Sequence, residues 1–164
     1  MSTHILVLCT HNSARSVLAE GMLRHLAAQR GVDVVAHSAG SAPSGRVQPL
    51  ALQVLQDAGV DIEGLHSKSW DRFAQDGGPP LAAVITVCDS AAGESCPYWP
   101  GHPVQVHWGM PDPAYIESTM RQRLAFEDVY SDLNKRLQKL AALDFDGLSD
   151  TELKAAAQAI HTTR

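Results

Sequence analysis

Cys9 and Arg15 close the two ends of a short segment, Cys9-Thr10-His11-Asn12-Ser13-Ala14-Arg15, and Ser16 follows directly. A thiol, a guanidinium and a hydroxyl at that spacing suit chemistry on an oxyanion. Backbone N–H groups of a tight loop and of a first helical turn can converge on one point and hold negative charge there. Arg15 adds a planar donor fork for two oxygens of a tetrahedral anion. Cys9 lies in the same cradle, where the loop amides, Arg15 and Ser16 would all favour its thiolate, the reactive form. Thr10, His11, Asn12, Ser13, Ala14, Arg15 and Ser16 are thus the candidate oxyanion-binding residues. The competing reading is a buried strand cysteine followed by an exposed arginine.

Three further residues could join this chemistry. Cys88 and Cys96 are separated by seven residues, Asp89 to Ser95. Together with His102 and His107 they could be read as a zinc site, but zinc sites favour cysteine pairs two to four residues apart. Cys96 could also serve simply as a small apolar residue. Asp112 stands between Pro111 and Pro113, which stiffen its loop and bias its backbone toward an extended form. A rigidly placed carboxyl beside a thiolate could be a general acid; alone, Asp-Pro is equally a surface turn. Tyr98, Trp99 and Trp108 either shape the mouth of the site or pack. His11, inside the loop, is expected to point to solvent.

The elements that must carry these residues can be read from apolar periodicity. Ile5 to Leu8 runs straight into Cys9 as a buried strand, and Val17, Leu18, Met22, Leu23 and Leu26 then recur at helical spacing up to a stop at Gly31. Val32 to His37 reads as a second strand ended by Ser38-Ala39-Gly40-Ser41. A second helix spans Leu50, Leu52, Val54 and Leu55 and is closed by Gly59; Ser69 is placed to cap a short third. Leu81 to Cys88 and Val104 to Trp108 read as strands, followed by a long amphipathic helix through Phe126, Val129, Leu133, Leu137 and Leu140. Ser149-Asp150-Thr151-Glu152 forms a capping box with Leu148 and Leu153 as its hydrophobic staple, which starts a last helix on the outside of the domain.

Strands that are apolar on both faces and alternate with helices argue for an α/β fold: a parallel sheet with helices on both faces. Ligands then bind beyond the carboxyl ends of the strands. Strand 1 ends in Cys9 and strand 3 in Cys88, and strand 4 leads on to Asp112. If strands 1 and 3 are neighbours, two thiols share one edge of the sheet.

The chain of 164 residues is long enough for one domain with a real core, and its 45% hydrophobic but only 5% aromatic content points to aliphatic packing. A formal net charge of −5 argues against nucleic acid as a partner. No apolar run suggests a signal peptide or a membrane span. Three cysteines without disulfide-framework spacing fit a reducing cytoplasm and thiols kept for chemistry.

The segment Cys9 to Ser16 resembles the phosphate-binding loop of low-molecular-weight protein tyrosine phosphatases. Ile85-Thr86-Val87-Cys88, Cys96-Pro97 and His107-Trp108-Gly109 through Asp112-Pro113-Ala114 are similar to the arsenate reductases built on that fold. The resemblance covers about residues 4 to 140. It implies a four-stranded parallel sheet in the order 2-1-3-4. The chain is then expected to be a monomer with a phosphatase-like domain over 1–145 and, outside the resemblance, a C-terminal helical extension over 146–164. The resemblance also implies roles: Cys9 as nucleophile, Asn12 bracing the loop, Arg15 and Ser16 on the oxyanion, Asp112 as general acid, and Cys88 and Cys96 as a redox relay. The activity implied is cytoplasmic reduction of arsenate to arsenite in arsenic detoxification, with weak phosphatase side activity. No metal or bound cofactor is implied; an external thiol reductant is, either thioredoxin or glutaredoxin with glutathione. A phosphotyrosine phosphatase would use Cys9, Arg15 and Asp112 alike but has no need of Cys88 or Cys96. A protein that only binds As(III) through its thiols is the non-enzymatic alternative. Two departures stand out. His11 replaces a glycine common in the family. Some members hold potassium beneath the loop through positions matching Asn12, Glu20, Ser38 and an aspartate; Ser69 stands at the aspartate position, which argues against a potassium site here.

Overall fold

The computed structural model describes residues 3–74, 79–87, 99, 103–110, 113 and 118–162. Cys88, Cys96, His102, Tyr98 and Asp112 lie outside the described residues. Four strands, β1 (Thr3–Cys9), β2 (Val34–Gly40), β3 (Leu81–Thr86) and β4 (Val104–His107), form one parallel sheet in the order β2-β1-β3-β4. Around it lie α1 (Arg15–Arg30), α2 (Pro49–Asp57), α3 (Asp71–Ala74), α4 (Thr119–Ala141) and α5 (Asp150–Thr162).

Side chains of β1 alternate between two cores, as the period of two requires. Ile5, Val7 and Cys9 join the larger cluster with residues of α1, α2, α4 and α5. Leu6 and Leu8 join a smaller one with Phe73 of α3, Val84 and Trp99. The sheet is therefore covered on both faces. The periodic positions Val17, Leu18, Met22, Leu23 and Leu26 of α1 and Phe126, Val129, Leu133, Leu137 and Leu140 of α4 are all buried. Fully burying each such side chain contributes about 1.5–3 kcal/mol.

Termination signals act where the sequence places them. Gly31 ends α1 in the left-handed region (φ 65°), its N–H bonding Ala27 O. Ser69 Oγ accepts the Asp71 N–H at 3.2 Å at the start of α3. At α5, Ser149 Oγ accepts the Glu152 N–H at 3.2 Å while Glu152 Oε1 accepts the Ser149 N–H at 3.1 Å, so the capping box is closed in both directions.

Three strands differ in their boundaries: β3 ends at Thr86 and β4 at His107, short of the expected Cys88 and Trp108, and β2 differs most. Val32 to His37 was the expected span of the second strand, whereas β2 runs from Val34 to Gly40. Val32 is exposed, and Ser38, Ala39 and Gly40 are buried against β1, pairing with Val7, Leu8 and Cys9. Small residues that look like a turn extend the strand by pairing with β1, and at Gly40 the neighbouring backbone leaves no room for a Cβ.

Helix α5, expected on the outside of the domain, lays Leu153, Ala157 and Ile160 into the larger core cluster. It also covers the open edge of β4. Gln158 Oε1 accepts the His107 N–H at 3.2 Å and its Nε2 donates to His107 O at 3.0 Å, so an amide side chain takes the part of a further strand. Trp108 Nε1 donates to Ala157 O at 2.9 Å and Trp99 is buried in the smaller cluster, so both tryptophans pack.

Candidate functional site

The carboxyl ends of the central strands meet at the loop between β1 and α1. Cys9 pairs with Gly40 of β2, Leu8 pairs with Thr86 of β3, and the Val87 N–H bonds Leu8 O at 2.9 Å. Cys88 is the next residue in the chain.

Loop 10–14 turns its carbonyls away from the strand end. Thr10 O accepts the Ala42 N–H at 2.9 Å, His11 O accepts the Ser44 N–H at 3.0 Å and Ser67 Oγ at 3.1 Å, and Ser13 O accepts the Gln48 N–H at 2.8 Å. No peptide bond in the described chain is cis. In a trans peptide the N–H points opposite to the C=O. The N–H groups of His11, Asn12 and Ala14 therefore face the inside of the loop. Helix α1 begins immediately after Ala14 with no side-chain cap and no acidic residue in its first turn. Its first turn adds the positive end of the helix dipole to the same place. The result is a concave array of donors suited to a tetrahedral anion.

Below this array runs a buried hydrogen-bond chain, and the backbone N–H of Lys68 fixes which way the Asn12 amide faces. Asn12 Oδ1 accepts the Lys68 N–H at 2.9 Å, so Asn12 Nδ2 carries the donors. It donates to Ser16 Oγ at 2.8 Å and to Ser38 Oγ at 3.0 Å. Ser38 Oγ donates in turn to Glu20 Oε1 at 2.5 Å. Ser16 Oγ, which accepts from Asn12, also shares a hydrogen bond of 3.0 Å with Cys9 Sγ. Asn12 and Ser16 are fully buried and Cys9 is 3% exposed. Asn12 adopts φ 48°, the one positive φ of a non-glycine residue among the described residues, a conformation asparagine tolerates better than most.

Arg15 links the loop to the segment after β4: its Nη1 donates to Met110 O at 2.9 Å. His11 is exposed, as expected of it. The structure thus brings together Cys9, Asn12, Arg15 and Ser16. His107, weighed as a zinc ligand, meets Thr86 Oγ1 through Nδ1 at 2.7 Å, and no group of three His, Cys, Asp or Glu side chains capable of holding a metal occurs among the described residues.

Two residues of the site were not singled out from the sequence. A Cβ at Gly40 would stand 2.4 Å from Thr10 O and 2.9 Å from Cys9 O, so only glycine lets β2 pass the loop this closely. Lys68 sits in an irregular stretch with no periodic signal. Its N–H holds Asn12, its carbonyl accepts the Gly40 N–H at 3.0 Å, and its Nζ meets Glu20 Oε1 at 3.1 Å. A glycine closing a run of small residues was a visible hint for the first; nothing local marked the second.

The family model of low molecular weight phosphotyrosine protein phosphatase matches residues 4–158, further along the chain than the motifs that carried the resemblance. An arsenate reductase of Bacillus licheniformis is 35% identical over 139 residues, covering 84% of this chain and 94% of that protein. A solved arsenate reductase in the phosphate binding state superposes with a TM-score of 0.68 at 26% identity, covering 85% of this chain and 97% of the other. A thioredoxin-dependent arsenate reductase of Corynebacterium glutamicum superposes with a TM-score of 0.60 at 26% identity, covering 85% of this chain and 60% of the other.

Proposed function

The chain belongs to the low molecular weight phosphotyrosine protein phosphatase family, and from that membership we propose that it is an arsenate reductase. The observation that carries this reading is the donor-lined loop closed over a buried thiol, Cys9, in a chain whose relatives across most of its length are named for arsenate reduction. Arsenate is a tetrahedral oxyanion of the size and charge such a loop accommodates.

In the proposed reaction Cys9 Sγ attacks arsenic(V) and an arsenate oxygen leaves as water, with Asp112 supplying its proton. Asp112 is two residues beyond Met110, whose carbonyl Arg15 engages. Cys88 then attacks Cys9 Sγ. The Cys9–arsenic bond breaks with its electron pair remaining on arsenic, which departs as arsenite(III), and a Cys9–Cys88 disulfide forms. Cys96 attacks Cys88, frees Cys9 and leaves a Cys88–Cys96 disulfide. An external dithiol returns two electrons and two protons to that bond. Thioredoxin is the reductant best supported, because a structural neighbour is named as thioredoxin-dependent; glutaredoxin with glutathione is the alternative. The protein supplies no bound cofactor to this cycle and works in the cytoplasm, where such thiols stay reduced. No helix among the described residues is long and apolar enough to cross a membrane.

The family match also favours hydrolysis of phosphate esters at the same loop, with water ending the cycle. The relay separates the two readings. Cys88→Ser and Cys96→Ser are each expected to lose multiple-turnover arsenate reduction and to keep slow hydrolysis of p-nitrophenyl phosphate. After one turnover Cys96→Ser should hold a Cys9–Cys88 disulfide, visible by peptide mapping. Normal turnover of Cys96→Ser with thioredoxin would refute the three-cysteine relay.

A further inference from the structure

Glu20 places a carboxylate among buried groups at the base of the loop, where the family pattern would put a bound potassium ion. The residues present do not fit that ion. Asn12 Oδ1 is taken by the Lys68 N–H, and Asn12 turns donors, not an acceptor, toward Ser38. Glu20 Oε1 already accepts from Ser38 Oγ and meets Lys68 Nζ at 3.1 Å. Lys68 Nζ also donates to His66 O at 3.1 Å. The side chains of Lys68 and Glu20 are only 8% and 11% exposed. A metal ion here would have to share the position with an ammonium group.

We propose that Lys68 is a tethered cation: its ammonium group takes the place of a monovalent metal ion beneath the oxyanion loop, and the loop's shape is therefore independent of potassium and sodium. A carboxylate in a poorly hydrated site must be neutralised by a partner. Lys68 does this from a backbone that is itself part of the site. One residue carries the charge for Glu20, the N–H that orients the Asn12 amide, and the carbonyl that anchors Gly40 against the loop. Hydrogen bonds join Glu20 through Ser38 and Asn12 to Ser16 and the Cys9 thiol. Lys68 is a positioning residue: it touches no substrate, and it holds those that would. A soluble ion has to be bound from solution, and its occupancy falls with its concentration. A lysine fixed in the chain is always present.

The proposal rests on the reading of Cys9 to Ser16 as an oxyanion site, and its test avoids arsenate turnover so that the two can fail separately. Wild type and Lys68→Ser are compared in potassium chloride, sodium chloride and choline chloride at equal ionic strength. The readouts are the melting temperature and the protection of Cys9 by inorganic phosphate against iodoacetamide. Wild type should give the same melting temperature and the same phosphate protection in all three salts. Lys68→Ser, with a hole beside an unpaired carboxylate, should melt about 10 °C lower in choline and protect at least tenfold more weakly. Potassium or sodium, but not choline, should restore part of both. A wild type that needs potassium, or a Lys68→Ser protein equally affected in every salt, would overturn the tethered-cation assignment. Should Lys68→Ser not fold, the charge-free pair Glu20→Gln/Lys68→Met decides the matter: it should show no response to the cation, and a potassium response in it would contradict the proposal. Phosphate failing to protect wild type in any salt would instead count against the oxyanion site itself.

Discussion

Replacing Gly40 by alanine tests how closely the loop depends on the strand beside it. The added Cβ would lie 2.4 Å from Thr10 O, 2.9 Å from Cys9 O and 3.0 Å from Asn12 N. All three are backbone atoms, so no flexible side chain can swing aside. Ordinary contact begins at 3.4 Å, so the Thr10 carbonyl has to retreat by about 1 Å. Thr10 O also accepts the Ala42 N–H at 2.9 Å, and Cys9 pairs with Gly40 itself, so the displacement passes into the segment that carries the thiol. Overpacking of this kind costs about 1–3 kcal/mol, which corresponds to a fall of about 2–12 °C in melting temperature for a chain of this size. A misplacement of about 1 Å at reacting groups costs on the order of 10²-fold in rate. The assay is kcat/KM for arsenate with thioredoxin, thioredoxin reductase and NADPH, alongside thermal melting. Gly21→Ala is the control: the nearest atoms to its Cβ would be the methyl ends of Leu55 and Leu65, at 3.1 and 3.2 Å, so stability changes slightly and kcat/KM stays at the wild-type level. A Gly40→Ala enzyme within about threefold of wild type would refute the reasoning, because the close approach would then not set the loop.

Three further outcomes are expected. Asn12→Ala removes the amide that joins Ser16, Ser38 and Lys68 and leaves the Lys68 N–H without its acceptor, so it should cost about 1–3 kcal/mol by denaturant unfolding and lower arsenate turnover. Asp112→Asn keeps the shape and loses the proton, so turnover of arsenate and of p-nitrophenyl phosphate should both fall by about 10² to 10⁴; wild-type rates would remove Asp112 from the mechanism. His37, stacked on His4 with Nε2 2.9 Å from His4 Nδ1, has its pKa pushed below the ordinary 6.5 by burial and then by the neighbouring His4. The unfolded chain then binds this proton more readily than the folded one. Its contribution to stability is complete above about pH 6.5 and is lost as pH falls below that value. The melting temperature should fall on acidification through this range, and less steeply in His37→Gln.

The sequence carried what local rules control. The stop at Gly31, the capping box at Ser149 and the apolar stripes of α1 and α4 stand where periodicity and capping chemistry put them. The strand–loop–helix unit around Cys9 was readable because one short segment holds the thiol, the arginine and the helix start. The rest depended on residues far apart in the chain. Gly40 and Lys68 matter through contacts with Thr10, Asn12 and Glu20 made across the fold; a run of small residues hints at Gly40, and no local pattern marks Lys68. The end of β2 is hidden for the same reason: Ser38-Ala39-Gly40 has the composition of a turn, and pairing with Val7, Leu8 and Cys9 of β1 makes it a strand. Gln158 closing the edge of β4 is likewise a tertiary event, on a helix whose extent to about His161 was legible but whose packing was not.

The most direct measurement is arsenate-dependent oxidation of NADPH by the purified full chain coupled to thioredoxin and thioredoxin reductase, with arsenite quantified as product. One arsenite should appear for each NADPH consumed, and both should vanish in Cys9→Ser. If neither thioredoxin nor glutaredoxin with glutathione supports arsenite formation while wild type hydrolyses p-nitrophenyl phosphate with Cys9, the chain is a phosphatase and the arsenate reductase account is contradicted.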